Sequence, residues 1–364
     1  MRASVPTHPW RLLVAAIALP GLVGLAVLAF AWPAARTAPR DVPVGILGTS
    51  PAAGSAVEHL DSMEPDAFDF RFYVDPAGAV SAIHDRAVDG AFDVEPDSIT
   101  VYTAGAASPA IAQLLATAGA GLAAQAHVPA RADDVVPLSA ADPRGTVFSA
   151  ALLPLTICGV AIAATVAVVL GFRPAWRQVL ALAVISGSTA LGAYFVAQGL
   201  LGALPHHAVA TWAALTVTIF AISAAVAGSF AVLGVPGLGV GAALMVFVGN
   251  PFSGASSAPE LLPDAANHFG QWLPPGAEVS LLRSTAYFDG NGAAPHLGVL
   301  VAWAVGGVGL IILGHHTSLG RSGRSEADNV SAQVRAEPLT LPADRSVDVE
   351  ARRSGLRAEC LPGS

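Results

Sequence analysis

Long apolar runs without a formal charge are the feature that most constrains this chain. They lie at residues 12–32, 146–170, 179–204, 208–233 and 297–314. The hydrocarbon core of a bilayer is spanned by roughly 20 apolar residues in a helix, and each run is close to that length. No water inside the bilayer can bind free backbone groups, so such runs must be helical. We therefore predict a polytopic α-helical membrane protein.

Composition excludes several classes of function. All 18 basic residues are Arg, and the chain has no Lys. This removes the Walker A lysine and Schiff-base chemistry. The sequence also has no Gly-x-Ser-x-Gly, His-Glu-x-x-His or Cys-x-x-Cys motif. We predict that the chain is not an enzyme, holds no metal or cofactor, and binds no nucleic acid.

The first run indicates an uncleaved signal anchor, transmembrane helix 1 (residues 12–32). It is longer than the apolar core of a cleaved signal peptide, and Arg2 and Arg11 precede it. The residues before it (1–11) are therefore expected in the cytoplasm. Cleavage in the Ala-rich stretch after Pro33 is the alternative.

Arginine placement predicts the remaining topology. Arg173 and Arg177 follow the second run, and the polar tail at 315–364, predicted to be disordered, holds seven arginines. Keeping both chain ends in the cytoplasm needs an even number of crossings. The weaker run at 239–249, which could begin near Val235, then counts as one, giving about six crossings of the plasma membrane. The alternative of five crossings would export the tail.

Residues 34–145 are different in kind, with fifteen acidic residues against six arginines. Short strand-like and helical patterns alternate there, which predicts a small extracytoplasmic α/β domain. Strands are predicted at 42–47, 68–74, 90–94 and 98–103, and helices at 52–63, 76–88 and 109–125.

Residues 250–296, here called the broken segment, are too apolar for a flexible loop and too rich in Pro and Gly for one helix. Helical stretches are predicted at 258–269 and 277–288, within a partly re-entrant external hairpin. It either lines an exit path or forms a packed cap in the membrane domain (146–314). The candidate pathway or gate residues are Asn250, Pro251, Gly254, Pro259, Glu260, Pro274, Pro275, Gly276, Arg283, Asp289 and Gly290.

Two stretches of this segment carry a family resemblance. NPFSGASSAPELLP (250–263) and GQWLPPGAEVSLLRSTAYFDGNG (270–292) resemble the last external region of actinobacterial ABC-2 type transporter permeases akin to the YhgE/Pip membrane proteins. DPRGTVFSAALLP (142–154) is similar to their entry into the second crossing. The layout of one crossing, an external domain and five further crossings is also similar.

The resemblance implies an exporter subunit that works with a second permease half and a separate ATP-binding subunit, the source of any ATP. The loop at 171–178 departs from this pattern because it is short for a coupling helix. The uncharged runs argue against a proton antiporter and favour an apolar or amphipathic cargo, drug-like or lipid-like, beside membrane lipids. The alternative is a non-transporting envelope protein whose external domain binds a cell-wall component, phage or partner protein.

The topology can be tested with reporters. A reporter fused after Ser364 should be inaccessible from outside intact cells, and one inserted near Glu58 should be accessible, because the tail is expected in the cytoplasm and residues 34–145 outside the cell. Protease shaving of whole cells measures both. Digestion of the Ser364 fusion in intact cells would contradict the six-crossing arrangement.

Overall fold

A computed structural model describes residues 9–48, 51–171, 173–204 and 207–336. Five helices in the described part of the chain are long and apolar enough to cross a membrane. They cover Ala16–Ala34, Thr146–Leu170, Ala175–Leu200, Ala208–Leu233 and Ala293–His316. The prediction of a helical, membrane-embedded protein is confirmed by the length and composition of these helices.

A five-stranded sheet follows the first helix, α1 (Pro9–Ala34). Its strands are β1 (Val42–Leu47), β2 (Phe68–Tyr73), β3 (Gly90–Val94), β4 (Ile99–Thr103) and β5 (Ala130–Asp134). The spatial order is β2-β1-β3-β4-β5; β3 and β4 pair antiparallel, and the other neighbours pair parallel. β5 was not predicted, since its residues are all exposed at the edge of the sheet and show no apolar alternation.

Three helices, α2 (Pro51–Met63), α3 (Pro76–His84) and α4 (Pro109–Ala126), connect the parallel strands. Phe92, Ile111 and Leu115 belong to the core that α2 and α4 form on one face. α3 ends four residues before its predicted end at 88, because Arg86 adopts a left-handed conformation with φ 57° that no α-helix continues.

The apolar helices after the sheet pack around α7 (Ala208–Leu233), which contacts α5 (Thr146–Leu170) and α6 (Ala175–Tyr194). α6 continues as a π-helix over Phe195–Leu200. Asp142 begins α5 by accepting hydrogen bonds from the backbone N–H groups of the first turn, including that of Thr146 at 2.9 Å. The acid before this apolar run is thereby a helix cap in this fold.

The weaker apolar run, predicted at residues 239–249, belongs to a helix that begins at Val235. Gly234, with φ 70°, separates α7 from α8 (Val235–Ala243), and a π-helix continues α8 over Leu244–Gly249. The combined helix is about 22 Å long, shorter than a hydrocarbon core of about 30 Å. Its status as a sixth crossing therefore stays a prediction.

The broken segment contains a short 3₁₀ turn at Pro259–Leu261, then α9 (Asp264–Gln271) and α10 (Pro274–Tyr287). Every residue of α10 before Tyr287 is buried. α10 packs against α5, α7, α9 and the π-helix after α8. The segment is thus an integral part of the helix packing.

The last helix, α11, runs from Ala293 to Ala336. The helix extends past residue 315, where a disordered tail was predicted to begin. No proline interrupts residues 315–336, so nothing in the backbone chemistry ends the helix there. The remainder of the predicted tail, 337–364, lies outside the described residues.

Two adjacent glycines test the packing of α11 on α7. A Cβ on Gly307 would overlap the backbone of Ala224 and Ala225, whereas a Cβ on Gly306 would meet nothing within 4 Å. Gly307→Ala should therefore cost about 1–3 kcal/mol in the free energy of unfolding, measured by thermal unfolding in detergent. Gly306→Ala is the matched control and should leave stability unchanged or slightly raised; equal effects would show that the two helices do not pack closely here.

Candidate functional site

The turn between α9 and α10 lies beside the interior of α11. The indole Nε1–H of Trp303 donates to the carbonyl oxygen of Trp272 at 2.8 Å. Trp303 is about 15 Å along the helix axis from Ala293, where α11 begins. The broken segment therefore contacts α11 about 15 Å from the first residue of that helix, as expected for a re-entrant segment.

Most of the predicted Pro and Gly positions serve close packing. A side chain on Gly254 would collide with the backbone of Pro259, and φ 71° at Gly254 suits glycine. Pro275 packs on Gly249, and Gly276 packs on the backbone of Gly270. Pro274, Pro275 and Gly276 are buried in the start of α10. These contacts agree with the interpretation of a packed cap at this end of the segment.

The remaining candidates lie at the two loops of the segment. The amide of Asn250 donates to the carbonyl of Met245 at 3.2 Å and so ends the π-helix before Pro251. Asp289 is exposed and lies 2.6 Å from the ring Nε2 of His207. Gly290 has φ 88° in the turn into α11. Asn250 and Pro251 line a cavity with Gly254, beside Phe30 of α1 and Ser149 of α5.

Two predicted residues, Glu260 and Arg283, belong to a charged cluster that also includes Arg86 and Asp89 from the loop before β3. Arg86 donates to the carbonyl of Ser280 at 3.0 Å and to the hydroxyl of Ser284 at 2.6 Å. These bonds join the sheet region to α10. Arg86 and Asp89 were not predicted from the sequence, since the bond from Arg86 to Ser280 joins residues 194 positions apart and no motif marks either one.

Aromatic rings shield both arginines of the cluster. The guanidinium of Arg86 lies 5.2 Å from the ring centre of Phe288, and that of Arg283 lies 5.5 Å from the ring centre of Phe148. Such cation–π contacts gain strength when water is excluded. Arg283 is only 4% exposed, so its charge is stabilised by the Phe148 ring and by the nearby acids rather than by solvent.

The electrostatics of the cluster centre on Asp89. Its Oδ2 is enclosed and accepts no hydrogen bond from the described residues. Burial raises the pKa of Asp89 to about 7, helped by the Glu260 carboxylate, while Arg86 and Arg283 act in the opposite direction. Asp89 is therefore poised to change charge near neutral pH, between a protonated, uncharged form and a paired carboxylate.

A separate apolar cavity of about 600 Å³ lies between α5, α6, α7 and α10. Its wall includes Phe148, Leu152, Gly192, Val196 and Leu282, and none of the described residues lining it is charged. Phe148 also lies on the Arg283 guanidinium. One aromatic ring thus separates the apolar cavity from the charged cluster.

Among the described residues, no group of three His, Cys, Asp or Glu side chains could hold a metal ion. Comparisons with family models, with curated proteins and with solved structures find no match to this chain. The family resemblance therefore stays a prediction, and the function is argued from the site alone.

The raised pKa of Asp89 predicts a dependence of stability on pH. The folded state holds the Asp89 proton more tightly than the unfolded chain, so this contribution is complete below the ordinary pKa of 3.8 and is lost as pH rises to about 7. Asp89→Asn should remove the loss, leaving the variant more stable than the wild type by up to about 4 kcal/mol in free energy of unfolding above neutral pH.

Thermal unfolding in detergent across this pH range measures the effect. Asp61→Asn, the same change on the exposed face of α2, is the control and should follow the wild type. Identical pH profiles for Asp89→Asn and the wild type would contradict a buried, protonated Asp89.

Proposed function

We propose that the chain is the membrane subunit of an exporter that moves an apolar or amphipathic compound, drug-like or lipid-like, out of the cell. The observation that carries this proposal is the uncharged cavity of about 600 Å³ in the helix packing. Its volume lies within the usual range for sites that hold one small molecule. A charged cargo would normally meet compensating charge in such a site, and the described lining offers none.

The proposed topology gives the cavity a place in the bilayer. Both chain ends are cytoplasmic, the sheet region is extracytoplasmic, and the chain crosses the plasma membrane about six times, with α8 as the short crossing. The cavity is lined by the beginning of α5 and the end of α6, including Phe148 and Val196. In this topology both lie in the outer half of the membrane, where a lipid-like cargo would leave.

α10 is the proposed gate. Leu282 of α10 forms part of the cavity wall, while Ser280 and Ser284 of the same helix are bound by Arg86 from the sheet region. A movement of the sheet region would pull on α10 and change the cavity wall. Glu260 and Arg283 would act in this gate through the charged cluster.

Energy would come from a separate ATP-binding subunit acting with a second permease half, as the resemblance implies. The connections that would face such a subunit are short. Residues 171–174 join α5 to α6, and Gly234 alone joins α7 to α8. Purification from native membranes in mild detergent, followed by mass spectrometry, identifies whether an ATPase accompanies the chain.

Filling the cavity should block export. A Cβ on Gly192 meets nothing within 4 Å, so a phenylalanine side chain there can enter the cavity without displacing backbone. Gly192→Phe should reduce outward transfer of a fluorescent short-chain phospholipid at least several-fold, because the probe and the ring compete for one volume. The measurement uses native-host cells with the gene deleted and restored.

Leu191→Phe is the matched control, since Leu191 is 59% exposed on the same helix and does not line the cavity. It should restore export as the wild-type gene does at equal protein level. If deletion leaves lipid and dye export unchanged but alters phage adsorption or cell-wall binding, the exporter proposal fails and the envelope-protein alternative replaces it.

A further inference from the structure

Glu278 is a fully enclosed acid in the second turn of α10. Its exposed fraction is 0%, and neither carboxyl oxygen has a hydrogen-bond partner among the described residues. Its neighbours Ala277 and Val279 are equally buried. The carboxyl group therefore sits in helix packing that offers it neither water nor a donor.

Such surroundings strongly disfavour the ionised form. A buried carboxylate without a partner is far more costly than a buried neutral acid, so the group keeps its proton. No charged side chain among the described residues acts on the Glu278 carboxyl group.

The helices packed against α10 explain why no charge compensates Glu278. α7 and α8 with its π-helix contain no acidic or basic residue, and neither does α5. The titratable groups on or against α10 are Cys158 on α5, Asp264 and His268 on α9, Arg283 and Tyr287 on α10 itself, and the groups near those two, namely Arg86, Asp89, Glu260 and Asp142. Of these, Arg283 is the only buried full charge on α10, and it lies against Phe148.

A metal ion does not fit the position. Hard cations such as Ca²⁺ need six or more oxygen ligands, and the described residues place no other carboxylate or donor group within hydrogen-bond distance of Glu278. A proton needs only the carboxyl oxygen itself.

Glu278 is also next to the proposed exit path. Leu282, four residues later, lines the apolar cavity. Residues four apart lie on one face of a helix, about 6 Å apart along its axis. Any displacement of α10 that admits water to the cavity at Leu282 would bring water to within one turn of Glu278.

We propose that Glu278 is a proton-binding site: it holds H⁺ while α10 is packed and releases it to water when α10 is displaced. On release the carboxyl O–H bond breaks, the proton passes to a water molecule, and a carboxylate remains. Proton binding stands independently of export; only its link to opening of the cavity rests on the proposed function.

Infrared spectroscopy of the full-length protein in lipid vesicles tests the site. The C=O stretch of a protonated carboxyl group is recorded at neutral pH in an Asp89→Asn background, so that Asp89 does not contribute. We expect the band in this background, its loss on adding Glu278→Gln, and its retention with Glu58→Gln, the same change on an exposed residue of α2. Absence of the band from the background, or its retention with Glu278→Gln, would overturn the proposal.

A second measurement needs no change at residue 278, in case that variant does not fold. Wild-type protein made with glutamate labelled by ¹³C at the side-chain carboxyl should show a shifted protonated-carboxyl band at neutral pH. Absence of any shifted band, with only the unshifted band of Asp89 present, would overturn the site. Failure of lipid export with an intact infrared result would sink the exporter proposal and leave the proton site standing.

Discussion

The enclosure of α10 is the constraint on which the rest of the structure depends. This helix carries an arginine and a glutamate, Arg283 and Glu278, into a cluster of apolar helices, where neither charge could face hydrocarbon cheaply. Protein surrounds both residues: Arg283 is 4% exposed and Glu278 is 0% exposed. The charge of Arg283 is stabilised by the Phe148 ring and by nearby acids. Glu278 has no such partner and remains neutral.

The enclosure also explains why the sheet region and the helices are built together. The broken segment contributes Ala258 and Leu261 to one sheet core and Phe288 to the other. Arg86 from the sheet region in turn completes the hydrogen bonding of α10 through Ser280 and Ser284. Each region therefore buries side chains of the other and shares hydrogen bonds with it.

Much of the fold follows from local patterns. The bounds of α5 and α7 were predicted to the residue, since a long apolar run between polar residues allows few other solutions. Four of the five strands were predicted near their observed positions, and β5 was missed because edge exposure removes the alternation on which such predictions rest. Of the candidate site, Glu260 and Arg283 were predicted, but Arg86, Asp89 and Glu278 were not, because their importance comes from burial and from contacts distant in sequence.

Glu278, which was not predicted, weakens the argument against proton coupling that rests on the uncharged runs. The uncharged runs argue against a proton antiporter: α5 and α7 carry no charge, and α6 carries none after Arg177. α10 is too short and too polar to count as a run, yet it packs among them and brings in Glu278. Ionisable groups can therefore be packed among long apolar helices by a short helix that hydropathy does not mark. Asp89 belongs to the charged cluster around Arg283 of α10, and Glu278 lies five residues before Arg283 on the same helix. Displacement of α10 would therefore change the solvation of both acids.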